Sequence, residues 1–295
     1  MNANADWDTR EPIAELRGLT KRYRGGKVAV DGIDLTIRPG RIVGLIGRNG
    51  AGKSTVLKSL LGMTPYEGSI RVLGLDPTTQ RDALMRQVSF IADAAVLPKW
   101  LRVNQALDYV QGVHPAFNRE RAESFLATTE VKLTHRVREL SKGMVTQLHL
   151  ALVLAIRARF LVLDEPTLGL DLLVRRRFYD TLLNDYMDEE RTILVTTHQV
   201  EEVEHLLSDV VFIEQGRIAL DMPVESLGQR YCQLVVRADH LAAAREQHPF
   251  AERNLFGRTA LFYEDAPREQ LESLGEVSTP SIADLFIARM NQEGA

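Results

Sequence analysis

Short apolar, β-branched runs recur along the chain at 41–46, 88–91, 160–163, 192–196 and 210–213, separated by longer stretches with helical spacing. A run without polar alternation belongs to a strand covered on both faces, and such strands separated by helices make a mainly parallel sheet. Between 103 and about 158 the pattern is helical throughout, which predicts a helical insertion between sheet strands. Residues 213–218 (Ile-Glu-Gln-Gly-Arg-Ile) read as a strand, a tight turn through Gly216 and a second strand, closing the sheet near Leu220. The chain therefore divides into a core over 1–220 and a smaller segment over 221–295. In that segment Thr279 as N-cap, Pro280 in the first turn, and Ile282, Leu285, Phe286 and Met290 on one face predict an amphipathic terminal helix.

Composition changes this picture little. Apolar residues make up 45% of the 295 and charged residues 26%, which places the chain among ordinary globular proteins. A net charge of -4 gives no general reason to sit on nucleic acid, so no nucleic-acid partner is expected. The single cysteine, Cys232, excludes an internal disulfide or a cysteine metal cluster and fits a reducing compartment, with an inert thiol the simplest role. The start of the chain, Met1 to Asp8, is polar and acidic, with neither the basic start nor the apolar run of a secretion signal, so an intracellular location is expected. The most apolar stretch, 148–163, is interrupted by His149, Arg157 and Arg159 and falls short of the roughly 20 apolar residues a bilayer span needs. Work on a membrane would need spans from another chain.

The run Gly47-Arg48-Asn49-Gly50-Ala51-Gly52-Lys53-Ser54-Thr55 follows a predicted strand and opens a predicted helix, 53–61. In that context it reads as a phosphate-binding P-loop. Glycines let backbone N–H groups approach ATP phosphates, Lys53 reaches the β- and γ-phosphates, and Ser54 ligates Mg²⁺. The spacing of the glycines and the Lys-Ser that follows them disfavour a dinucleotide site. The strand at 160–163 runs into Asp164-Glu165-Pro166, placing two carboxylates at the sheet's C-terminal edge: Asp164 toward the Mg²⁺ shell, Glu165 toward the attacking water.

Lys53-Ser54, Leu140-Ser141-Lys142-Gly143-Met144, Asp164-Glu165-Pro166, Gly169-Leu170-Asp171 and Thr196-Thr197-His198 occur in the order found in ATP-binding-cassette (ABC) transporter ATPase subunits, and the resemblance covers about 16–220. It implies a P-loop NTPase core with a mainly parallel sheet, an N-terminal antiparallel β part and a helical insertion. It further implies that Ser141, Lys142, Gly143 and Met144 form a signature segment starting a helix that faces the γ-phosphate held by a second subunit. Helix N-termini attract anions, which agrees. Lys142 and Met144 depart from the family's commonest Leu-Ser-Gly-Gly-Gln form. By the same resemblance Gly169, Leu170 and Asp171 form the D-loop, His198 is the switch histidine and Tyr23 stacks on adenine.

The clearest departure is Asp93, where the family usually has glutamine. Either Asp93 joins the metal shell and alters its charge, or the loop turns it to solvent. Val96, Leu97, Trp100 and Leu101 fall in the family's zone of contact with the membrane subunit, or else pack the insertion's own core.

The expected function is that of an ATP-hydrolysing subunit powering a membrane transporter, of exporter type, working as a head-to-tail homodimer or with a paired ABC subunit. It would sit against an integral membrane permease on the cytoplasmic face of the cell membrane. The alternative is a soluble ABC-type ATPase acting on a macromolecule. A stand-alone GTPase is disfavoured because no Asn-Lys-X-Asp sequence occurs, and a stand-alone kinase because it would not need the Leu-Ser-X-Gly segment at 140–143.

Overall fold

The computed structural model describes residues 11–91, 97–188, 190–255 and 257–290. The chain begins with antiparallel strands β1 (Ala14–Arg22) and β2 (Val28–Ile37), enters the main sheet at β3 (Ile42–Ile46), and turns into helix α1 (Lys53–Leu60). Strand β4 (Glu67–Val72) then pairs with β1, giving a three-stranded antiparallel sheet in the order β2-β1-β4. Helix α2 (Arg81–Met85) leads to β5 (Val88–Ile91). The insertion follows as α3 (Val103–Val113), α4 (Arg119–Ala127) and α5 (Lys142–Leu154), helical throughout as its pattern predicts.

The chain returns to the main sheet with β6 (Phe160–Asp164), α6 (Leu172–Thr181), β7 (Thr192–Thr197), β8 (Asp209–Glu214) and β9 (Arg217–Pro223). The strand order is β5-β6-β7-β3-β8-β9, parallel except for the β8–β9 pair. The turn between those two has positive φ at Gln215 (47°) and Gly216 (81°), the backbone a two-residue hairpin demands. Gly216 also passes so near β2 that a Cβ would lie 2.9 Å from the Ala29 carbonyl oxygen.

Alternate residues of each central strand serve opposite faces. Val43, Leu45, Val162, Leu194, Val211 and Ile213 pack with α1 and the antiparallel sheet, while Ile42, Ile46, Leu161, Leu163, Ile193, Val195, Val210 and Phe212 pack with α5, α6 and the end of the chain. Burial on both sides is what the unbroken apolar runs dictate.

After β9 come α7 (Leu227–Arg230), β10 (Tyr231–Val236), α8 (Leu241–Arg245), β11 (Ala251–Leu255), β12 (Arg258–Glu264), α9 (Arg268–Glu272), β13 (Glu276–Ser278) and α10 (Ile282–Met290). The four strands form an antiparallel sheet in the order β11-β12-β10-β13. Helix α10 reaches back to the main sheet, where Phe286 meets Phe212 edge-on at a centroid distance of 5.2 Å. Its N-cap is Ser281 and not Thr279: the Ser281 hydroxyl accepts from Asp284 N at 3.0 Å. The Thr279 hydroxyl instead accepts from the Arg268 guanidinium at 2.9 Å, which holds it against the sheet and delays the helix by two residues.

In the insertion Leu97 and Leu101 pack against its buried core, whereas Trp100 is exposed. Val96 and Asp93 lie outside the described residues. Cys232 is a buried free thiol, and burial pushes its pKa up.

Candidate active site

Because β3 neighbours β7 and β7 neighbours β6, the loops leaving the C-terminal ends of these three strands meet at one edge of the sheet. The first loop is the glycine run. A Cβ at Gly47 would lie 2.5 Å from the Ile213 carbonyl oxygen, and Gly52 has φ 115° with a Cβ position 2.7 Å from the Ala29 carbonyl oxygen. Neither position admits a side chain, so the loop is pressed against the strands beneath it. It delivers α1 with Gly52 at the N-cap, without a side-chain cap and without an acidic residue in the first turn. The positive end of that helix dipole is therefore left to an anion.

Lys53, the first residue of α1, is buried. Its Nζ donates to the Gly47 carbonyl at 2.6 Å and lies 3.4 Å from Glu165 Oε1. The Ser54 hydroxyl donates to Asp164 Oδ1 at 3.2 Å, and the Thr196 hydroxyl donates to the same oxygen at 2.6 Å. Two hard oxygen donors side by side, one in the first turn of α1 and one at the end of β6, fit a magnesium ion that also keeps waters and phosphate oxygens. Among the described residues no group of three or more His, Cys, Asp or Glu gathers to hold a metal ion by itself.

Glu165 follows β6 in left-handed backbone, φ 47°. Its N–H lies 3.2 Å from both the carbonyl and the hydroxyl oxygen of Thr196, which fixes the turn against β7. Its Oε1 stands 2.9 Å from His198 Nδ1, just past the end of β7. A carboxylate, an imidazole and an ammonium thus converge beside the phosphate loop. Tyr23, beyond the end of β1, is 43% exposed, with its hydroxyl 3.5 Å from Thr55 Oγ1 and Lys21 Nζ 5.0 Å from its ring centroid.

The segment Ser141, Lys142, Gly143 and Met144 lies elsewhere. Ser141 caps α5, its hydroxyl accepting from Met144 N at 3.3 Å. Ser141, Gly143 and Met144 line a groove of about 1370 Å³ together with Asp171, Leu173 and Arg177 of α6 and its cap. Gly169 has φ 82°, and a Cβ there would lie 3.1 Å from Lys142 Cε, so the Gly169–Asp171 loop touches the signature segment of its own chain. Asp171 Oδ1 accepts from the N–H groups of Leu173 and Val174, both at 3.0 Å, and caps α6.

The family model described as ABC transporter matches residues 30–168. The Nod factor export ATP-binding protein I of Cupriavidus metallidurans is 34% identical over 281 residues, covering 89% of this chain and 89% of that protein. The chain belongs to the ATP-binding proteins of ABC transporters. The ABC transporter ATP-binding protein YtrB of Bacillus subtilis is 30% identical over 239 residues, 80% of this chain and 81% of that one. Among solved structures, an ATP-binding subunit of an ABC transporter superposes with a TM-score of 0.67 over 73% of this chain and 91% of that one. Its 24% identity supports the fold.

An ABC ATP-binding subunit binds and hydrolyses ATP and works with membrane permease components, so this chain is an ATPase of a transporter. Among the described residues no helix is long and apolar enough to cross a membrane. The sequence reading assigned no role to Thr196, although it sits in the quoted Thr196-Thr197-His198, or to Thr167, Arg175, Tyr179 and Glu202. Nothing in their local spacing marks these residues; the pairing of β6 with β7 and the packing of α6 on the loops that follow them bring them together.

Proposed function

We propose that this ABC subunit hydrolyses ATP at a site built by two chains, and that the cycle of closing and opening drives export through a membrane permease. The observation that carries this reading is the convergence of Lys53, Glu165 and His198 on one edge of the sheet, with Ser141 capping a helix elsewhere. Backbone N–H groups of Gly47, Arg48, Asn49, Gly50, Ala51, Gly52, Lys53, Ser54 and Thr55 wrap the phosphates, and Tyr23 stacks on the base. Lys53 neutralises the β- and γ-phosphates. Glu165 orients the attacking water and accepts its proton, while His198 holds the Glu165 carboxylate toward the γ-phosphate. Ser54 and Asp164 hold Mg²⁺, which when bound neutralises phosphate charge.

One loop leaves the γ-phosphate open on one side. The N-terminus of α5 in a second subunit, with Ser141, Lys142, Gly143 and Met144, closes it head to tail. Gly169, Leu170 and Asp171 then lie at the junction, and beside them Leu168, Leu172 and Leu173 are exposed at 40%, 77% and 74%. Three leucines in solvent next to a capped helix start suit a surface covered by a partner. A second copy of this chain is the simplest occupant, and a paired ABC subunit would serve equally.

Export is supported by the relative named for Nod factor export. Exposed Trp100 offers an apolar contact to the permease on the cytoplasmic face of the membrane. In this reading 1–220 is the nucleotide-binding domain and 221–295 an accessory domain. The test of the reacting groups is Glu165→Gln. The variant should bind ATP with unchanged affinity and hydrolyse it at least ~100-fold more slowly, read by phosphate release. Hydrolysis at the native rate would refute the role given to Glu165.

A further inference from the structure

The two loops that carry Glu165 and His198 are bridged a second time. Two residues beyond Glu165, the Thr167 hydroxyl lies 3.3 Å from Glu202 Oε2, and Glu202 is four residues beyond His198. The other oxygen, Glu202 Oε1, is ion-paired with Arg175 of α6. Arg175 also donates to the Leu170 carbonyl at 3.2 Å. Tyr179, one turn further along α6, places its hydroxyl 3.2 Å from Thr167 Oγ1.

The directions of these bonds are determined. A carboxylate accepts only, so the single hydroxyl proton of Thr167 goes to Glu202, and Tyr179 must donate to Thr167. Burial pushes the Tyr179 phenol up to about 12, so it remains a donor throughout the physiological range. Tyr179 and Thr167 are buried, and Arg175 and Glu202 are largely so. The ion pair therefore sits in a lower dielectric than an exposed one and is correspondingly stronger.

The segment it anchors has little regular bonding of its own. After His198 the chain runs through two short 3₁₀ turns, Val200–Glu202 and Glu204–Leu206, before β8. Such turns are weakly held, and their orientation depends on what they pack against.

We propose that Glu202, held by Arg175 and Thr167, is a positioning residue that fixes the turn after β7 so that His198 Nδ1 faces Glu165. This rests on the reading of Glu165 and His198 as reacting groups. The bridge acts through orientation: among the described residues its hydrogen bonds and ion pair run between Thr167, Arg175, Tyr179, Glu202 and the Leu170 carbonyl, not to the phosphate loop. A displacement of about 1 Å at a reacting group costs up to ~100-fold in rate, so loosening the turn should lower kcat while leaving ATP binding intact.

The experiment measures steady-state ATPase, equilibrium binding of a non-hydrolysable ATP analogue and thermal unfolding. The proteins are Glu202→Gln, Thr167→Val, His198→Ala and the His198→Ala/Glu202→Gln double variant. Glu202→Gln should lower kcat ~10-fold with KM and analogue affinity within ~3-fold of native, and Thr167→Val should lower it less. Because Glu202 acts through His198, the double variant should be no slower than His198→Ala alone, a non-additivity that a general loss of stability does not produce. Native kcat in folded Glu202→Gln and Thr167→Val overturns the proposal, as does a double variant slowed by the product of the two single effects. If Glu202→Gln does not fold, Thr167→Val and its double with His198→Ala carry the same test. A native kcat in His198→Ala would instead overturn the role given to His198 itself.

Discussion

Glu165 sits where β6 ends, in backbone that costs a residue with a side chain of order 1–3 kcal/mol. The Thr196 oxygens stabilise that turn, and the strain aims Oε1 between Lys53 and His198. Asp164, its neighbour, points the other way along the pleat, to Ser54 and Thr196, so two adjacent carboxylates face different ligands. A different histidine reports on stability. His149 on α5 is buried with Nε2 unpartnered, and burial pushes its pKa down to about 4 from 6.5. The folded state keeps it neutral while the unfolded chain protonates it below about pH 6.5, so stability is lost as pH falls from that value toward 4. The full loss is of order 3 kcal/mol. Denaturant titrations at pH 7 and pH 4.5 should show His149→Leu losing less stability on acidification than the native chain. An equal loss in both proteins would contradict this.

The helices differ at their starts. Ser141 caps α5, Asp171 caps α6 and Ser281 caps α10, each with a side-chain oxygen on a backbone N–H. Helix α1 starts at Gly52 without such a cap, at the loop assigned to phosphate. For α10 the assignment is testable by thermal unfolding: Ser281→Ala should cost about 1 kcal/mol, whereas Thr279→Ala should cost less than about half of that. The reverse order would restore Thr279 as the cap. The confusion at that end has a physical origin, since both hydroxyls can cap and only the Arg268 contact decides between them. The central strands were legible because burial on both faces leaves unbroken apolar runs. Strands β4, β11 and β13 were not. Strands β4 and β11 are half exposed with polar residues interleaved, and β13 is three residues long. The candidate positions of the phosphate loop, Asp164 and Glu165 were legible because each ends or follows a buried strand, whereas His198 was reached through the resemblance to ABC subunits. The bridge of Thr167, Arg175, Tyr179 and Glu202 was not legible, because it exists only across two packed loops and a helix.

At the scale of the whole molecule, the proposed function divides the site into two halves on different surfaces of the chain. One is the phosphate loop with Lys53, Glu165 and His198; the other is the start of α5, open to the groove beside α6 and flanked by exposed leucines. Helix α10 ties the C-terminal sheet to the main sheet at β8, with Phe212, Tyr231, Leu285 and Phe286 in one apolar cluster. The claim that two chains complete each site is tested most directly by mixing two defective variants. Lys53→Ala lacks the phosphate-loop half, and Ser141→Arg blocks the signature half. Each alone should be nearly inactive as a homodimer. In an equal mixture allowed to exchange, the mixed dimer holds one intact composite site, and ATPase activity should return to about a quarter of native. Native activity of Ser141→Arg by itself, or a mixture no more active than its components, would contradict a site shared between chains.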